Sequence, residues 1–265
     1  MKWNKQFSTV LVGLILVAVL YFGLSNKPPK KTAFDTLRES LIDTLALPNL
    51  EKIIALEAEL QKAKGPEKES KYEALSHQWE HAGYLTIAGD YLRQKANAFP
   101  TYENYMEAGQ ILFNALSTDT TENMQVNLVY SSRYCYEKAI ELKPGDADAQ
   151  IGLATVLVQG TNEPMKGIVM LREVVAKDPL NINANIELGR FSMMSGQYDK
   201  AIERFNAVLQ KDSLHLQSRY FLAEGYLGLS DTTAAIDQLE KIIEIEKDST
   251  VQNRIQLYIN YLKKL

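Results

Sequence analysis

Three residues of this chain combine types and spacing that could do chemistry. His77, Glu80 and His81 spell H-x-x-E-H. On a helix, two imidazoles four residues apart share a face and could grip a divalent metal, with the carboxylate between them as general base. The neighbouring residues argue against that use. Leu75 and Trp79 read as apolar core positions of the same helix, and no downstream glutamate stands ready as a third ligand. A thin pair of helices also encloses no pocket in which water could be activated. A polar patch is therefore expected first, an adventitious zinc site second and a peptidase last, and no catalytic residue, metal or cofactor is assigned. No glycine-rich phosphate loop and no Ser-His-Asp arrangement occurs elsewhere, and His215 stands alone. Met193 and Met194 carry the soft sulfurs that copper takes, but one methionine facing the core and one facing a groove accounts for the pair. The single cysteine, Cys135, can form no internal disulfide and is expected as a small buried apolar residue.

What could position such residues is a repeat. Gly189, Ala201 and Phe205 are followed 34 residues later by Ala223, Ala235 and Leu239, which sets small, small and bulky residues in the same order twice. That period marks an array of helix pairs in which each pair buries its apolar face against the next. The chain has 265 residues, 46% of them hydrophobic and 23% charged, enough for one extended helical domain.

Working back from Gly189, the period divides the chain into units at 69–102, 103–146, 147–181, 182–215 and 216–249. The first carries Trp79 and Ala88, turns at Gly83 and is closed by Pro100, which prevents its second helix from continuing. The second has Gly109 in its first helix and then an insertion of about eleven residues around STDTTENMQ, which should lengthen the loop and the start of the second helix. Ala154 and Gly167 hold the small positions of the third, and the last two units turn at Gly196 and near Ser230. Ser249 with Gln252 predicts a capping box for a final helix over 250–265, which covers the open end of the stack.

Ahead of the repeats the composition changes. Between Lys5 and Lys27 lies no charged residue, and a helix over that stretch spans about 30 Å, the thickness of a bilayer's hydrocarbon core. A transmembrane anchor is predicted over 7–25 behind a short tail at 1–6, with Trp3 and Tyr21 near its ends. Phe22 and Leu24 are bulky where a signal peptidase wants small residues, so the anchor is read as uncleaved, with Gly23-Leu24-Ser25 a weak cleavage site. Lys2 and Lys5 are answered by Lys27, Lys30 and Lys31, so orientation rests on the shortness of the tail, which is expected to stay inside. Over 26–68, Thr32 with Asp35 predicts a helix start, and breaks at Pro48 and at Gly65-Pro66 predict a linker and helical hairpin. Setting aside the five flanking lysines leaves 24 basic against 33 acidic residues, a balance of about −9. A surface of that sign excludes nucleic acid as a partner.

At these residues the chain resembles the tetratricopeptide repeat (TPR) family over 69–249. The resemblance is most specific in LGRFSMMSGQYDKAIERFNAVLQKD, where Leu188, Gly189, Gly196, Ala201 and Phe205 fall on the family pattern. It implies an all-α fold, here an N-terminal transmembrane helix followed by a right-handed α-solenoid of antiparallel helix pairs with a C-terminal capping helix. The segment EPMKGIVMLREVVAKDPLN, with the anchor and the insertion, is similar to membrane-anchored repeat proteins of the Bacteroidetes. That likeness implies a single-pass protein of a bacterial inner membrane with its repeats in the periplasm. In layout alone, the chain also resembles the anchored repeat subunits that hold apocytochrome during haem attachment.

The family geometry further implies a concave surface lined by set positions on the first helix of each unit. These are Glu73, His77 and Glu80, then Met106, Gln110 and Phe113, then Ile151, Thr155 and Val158. Ile186, Arg190 and Met193 continue the surface, and Tyr220, Glu224 and Leu227 end it. A clamp for a C-terminal carboxylate needs several converging cations, which Arg190 alone does not supply. Extended or helical segments with apolar anchors are the expected ligands. The expectation is a non-enzymatic, membrane-anchored scaffold that binds a protein or peptide in its groove, with a periplasmic assembly factor or holdase as the alternative. Its anchor would meet the lipid bilayer, and self-association stays open.

Overall fold

The computed structural model describes residues 31–44, 49–119 and 121–264. Among the described residues there are thirteen helices and no strand, in two units that divide between Ala46 and Leu47. The first unit contributes α1 (Ala33–Thr44). Its start is a reciprocal capping box: the Thr32 amide donates to Asp35 Oδ2 at 3.0 Å and the Asp35 amide to Thr32 Oγ1 at 3.1 Å. The tail and anchor predicted over 1–25 lie outside the described residues. Among the described residues no helix is long and apolar enough to cross a membrane.

The second unit opens with α2 (Leu50–Leu60), which packs on α3 (Gly65–His81), the first helix of the array. Antiparallel pairs then follow in chain order. They are α3 with α4 (Leu85–Ala98), α5 (Tyr102–Ala115) with α6 (Glu122–Leu142), and α7 (Ala147–Gly160) with α8 (Pro164–Lys177). Next come α9 (Ile182–Met194) with α10 (Tyr198–Lys211), and α11 (Leu216–Gly228) with α12 (Thr232–Ile245). The last helix, α13 (Ser249–Leu262), packs on α12. First helices also touch one another along the row, α5 on α7, α7 on α9 and α9 on α11, so their free faces form one continuous surface.

A cap recurs at the start of the first helices. Thr101, Asp146, Asn181 and His215 each accept a hydrogen bond from the backbone amide three residues on, satisfying a donor the helix itself leaves free. The solitary His215 is thus a helix cap. Asn185 and Arg219, also 34 residues apart, donate to the loop carbonyls of Pro179 and Ser213 and tie each loop to the following helix. The turns within the last two pairs need a left-handed residue, which Gly196 provides at φ +70° and Ser230 provides without glycine's freedom at φ +62°.

Small residues set the spacing inside each pair. Ala88, Ala154, Ala201, Ala223 and Ala235 are wholly buried, as are Trp79, Phe205 and Leu239. A methyl group on Gly189 would stand 2.5 Å from the Phe205 ring, and Gly167 lies so close to the Ala154 carbonyl that any side chain would collide with it. Gly109 sits against the Tyr136 ring, where an added methyl would meet it at 3.2 Å. Cys135 is buried, and burial pushes its thiol up to about 12.

Two local expectations are corrected. The first pair starts at Gly65, not at 69, because Pro66 occupies the first turn of α3; a Gly-Pro that ends one helix also suits the start of the next. The cap of α13 is Asp248, which accepts from the Thr250 amide at 2.7 Å. Gln252 instead reaches back to the Ile243 and Glu246 carbonyls at the end of α12. The insertion lengthens a helix as well as a loop, as expected: α6 has 21 residues, where its counterparts α8, α10 and α12 have 14.

Candidate functional site

The free faces of α5, α7 and α9 enclose a hollow of about 570 Å³. Of the residues expected in the groove, Met106, Gln110, Phe113, Ile151, Thr155, Ile186 and Arg190 line it. Ile151 and Thr155 form part of its floor and are almost fully buried, and the Thr155 hydroxyl donates to the Ile151 carbonyl at 2.9 Å. Met193, Tyr220 and Glu224 line a second, shallower hollow with Arg190, Met194 and Phe221.

Val158 and Leu227 line neither hollow. Val158 packs into the core of the α7–α8 pair beside Gly167, and Leu227 into the core of α11–α12. Both stand seven residues after the first groove position of their helix. Seven residues fall about 20° short of two full turns, so these positions keep nearly the same face, and it is their packing against the core of their own pair that takes them out of the two hollows. Phe113 and Met193, at the same step, likewise pack against core clusters while keeping an edge in the groove. For the methionine pair the expected division changes accordingly: Met193 belongs to both core and groove, and Met194 is 74% exposed.

One residue lining the main hollow comes from a second helix. Tyr136 of α6 is buried, and its hydroxyl lies 3.3 Å from Gln110 Oε1 as donor. Its position in the repeat is that of Leu171, Phe205 and Leu239. The larger ring fits because Gly109 and Gly152 flank it, and any side chain on Gly152 would collide with the ring. The neighbouring first helices α5 and α9 carry Glu107 and Glu187 where α7 has Gly152, so at this place the Tyr136 ring takes the space a side chain would need.

The rim is polar. Gln110 donates to Asn114 at 2.9 Å, and Asn183 to Asp148 at 3.4 Å. Asp148, Asn183 and Gln217 all line the hollow and recur at 35 and 34 residues; carrying the period one turn earlier along each first helix finds them in the sequence. Arg190 does not pair with Glu224. Its Nη1 donates to both carboxylate oxygens of Glu187, at 2.9 and 3.3 Å, within its own helix. Burial pushes the Glu187 carboxyl above the ordinary range, with Arg190 opposing. Glu224 accepts from the Tyr258 hydroxyl at 3.2 Å, and burial followed by the charge of Glu224 pushes that phenol up to about 12.

The first pair presents a different surface. His77 and Glu80 are exposed and stand 3.8 Å apart, and with His81, Gln78, Asn49 and Lys52 they border a separate depression beside α2. Trp79 between them is wholly buried. Among the described residues no three metal-ligating side chains converge. Glu73, also expected in the groove, pairs at 3.1 Å with Lys95 of α4, which Glu107 holds from the other side at 2.9 Å. Lys95 is 3% exposed and occupies the repeat position that Ala139, Val174, Val208 and Ile242 hold in the other pairs.

No family model matches the chain. Over 69 residues, 26% of its length, it is 30% identical to the DnaJ homolog subfamily C member 3 of Gallus gallus, of which the match spans 14%. Among solved structures it is similar to a tetratricopeptide repeat protein from Parabacteroides merdae, with a TM-score of 0.57, 13% identity and 87% of each chain covered. It is also similar to PilW, a widely conserved type IV pilus biogenesis factor, with a TM-score of 0.55 and 15% identity over 84% of this chain and 96% of that one. These likenesses show the fold, a TPR solenoid.

Proposed function

We propose that this chain is a scaffold that binds a protein or peptide partner in its concave groove and has no catalysis of its own. The observation that carries this is the hollow shared by α5, α7 and α9, with a floor of Tyr136, Ile151 and Ile186 and a rim of side-chain amides. Apolar depth gives an anchor somewhere to go, and amides on the rim can pair with the main chain of an extended segment. The uncharged stretch between Lys5 and Lys27 supports a membrane anchor ahead of the repeats, of the inner-membrane, Bacteroidetes type with the groove in the periplasm.

An assembly factor or holdase is the alternative, favoured by the exposed Met194 beside Tyr220, a soft apolar surface of the kind that accommodates varied clients. Crosslinked pull-down from native membranes separates the two. A scaffold recovers one or two stoichiometric partners, whereas a holdase recovers many and suppresses aggregation of unrelated proteins. Arg190→Ala with Tyr220→Ala should weaken recovery by roughly 2 kcal/mol while melting changes little. Full recovery with that double variant, together with loss on changes within 34–64, would move the site to the membrane-proximal helices.

A further inference from the structure

We propose that the groove selects segments that place a lysine or arginine side chain beside an apolar anchor, an inference that rests on the groove being the binding surface. Among the described residues, the charged side chains lining the two hollows are Asp148, Glu187, Glu224 and Arg190. Arg190 is engaged by both oxygens of Glu187, so those two charges nearly cancel toward a ligand. That leaves the carboxylates of Asp148 and Glu224. Asp148 is met by the neutral amide of Asn183, and Glu224 by the neutral phenol of Tyr258. The nearby cation Lys143 is turned to Asp146 at 2.7 Å. The surface available to a ligand is therefore apolar at its floor and negative at two places along its length.

An acidic segment would meet like charge at both carboxylates and find its one cation already paired. A basic side chain would find two acceptors that keep lone pairs free, while an adjacent leucine or phenylalanine entered the space over Tyr136 and Ile186. Complementary charge of this kind governs partner choice and association rate more than total affinity.

The test uses the full-length protein in detergent micelles and fluorescein-labelled nonapeptides read by anisotropy. All peptides carry the same leucine and phenylalanine anchors, flanked by lysine in one series and glutamate in the other. The lysine series is expected to bind at least about ten-fold tighter, with the gap shrinking as salt rises and narrowing to about three-fold in Asp148→Asn with Glu224→Gln. Equal or tighter binding of the glutamate series would overturn the selectivity while leaving groove binding intact. Lysine peptides that bind as well with serine in place of their anchors would overturn the proposal by locating them on the acidic surface at large. Binding by neither series would remove the groove as a peptide site and the selectivity with it.

Discussion

The first helix pair and the middle of the array carry the same scaffold, yet residues with catalytic potential and a cavity occur in different places. On α3 the sequence motif His77-Glu80-His81 stands on an exposed face beside α2, where among the described residues no three metal-ligating side chains converge. On α5, α7 and α9 no local motif exists, yet residues some 35 positions apart close around a hollow. A short spacing on one helix guarantees a shared face and nothing opposite it. A solenoid builds its site across neighbouring repeats, so the informative separation is the repeat length.

The core differences between these regions run in parallel. Where the later pairs bury Val174, Val208 and Ile242, the first buries Lys95 between two carboxylates. Where the later pairs bury a leucine or phenylalanine, the second buries Tyr136 and thins α7 to glycine beneath it. The strongest way to break the comparison is therefore at Gly152. Gly152→Ala should cost about 1–3 kcal/mol, since the added methyl would collide with the buried Tyr136 ring that lines the hollow. Thermal melts should show the loss, and partner recovery at a temperature where the variant is folded should fall with it. A stable variant with an unchanged partner would mean that the tyrosine and glycine do not shape the site.

A smaller effect is expected at the start of α7, where the hollow's rim meets the helix cap. Asp146 accepts from the Ala149 amide and from the Tyr102 hydroxyl and faces Lys143. Burial favours the neutral acid, but Lys143, Tyr102 and the amide outweigh it and hold the carboxyl down at about 2. A carboxyl lower in the folded chain than in the unfolded one contributes stability above its unfolded value near 4, and that contribution is lost as pH falls toward 2. Asp146→Ala should lower stability by about 1 kcal/mol at neutral pH and flatten the decline between roughly pH 4 and 2. Chemical denaturation at several pH values reads both, and an unchanged acid limb would remove Asp146 as its source.

Much of this was legible in the sequence because the repeat repeats its packing. The pairs Gly189 with Ala223 and Phe205 with Leu239 fixed where small and large residues meet, and a 34-residue step along the first helices finds most of the residues that line the two hollows. What escaped has physical causes. Tyr136 lies on a second helix, and only its contact with two glycines brings it to the groove floor. Val158 and Leu227 satisfy the spacing, but each packs into the core of its own helix pair. The cap at Asp248 is hidden in the sequence because Ser249 and Gln252 match the capping pattern one residue later, whereas the glutamine donates to carbonyls at the end of α12.

The smallest effect is expected where the sequence pattern was most suggestive. His77 is exposed, its nearest charged neighbour Glu80 is 3.8 Å away, and the tryptophan that holds their helix in place points the other way into the core. Removing an exposed side chain with no buried partner changes stability by no more than about 0.5 kcal/mol in either direction, so His77→Ala should melt with the parent and recover the same partners. Two imidazoles on one turn can still take up zinc loosely, so the purified protein should contain well under one zinc per chain and cleave no peptide. Tight equimolar zinc, with activity lost in Glu80→Gln, would reverse the contrast between the two regions and place chemistry on the first helix pair. Loose zinc without activity would leave binding to the middle of the array, where three repeats contribute to one surface and no single helix could form it alone.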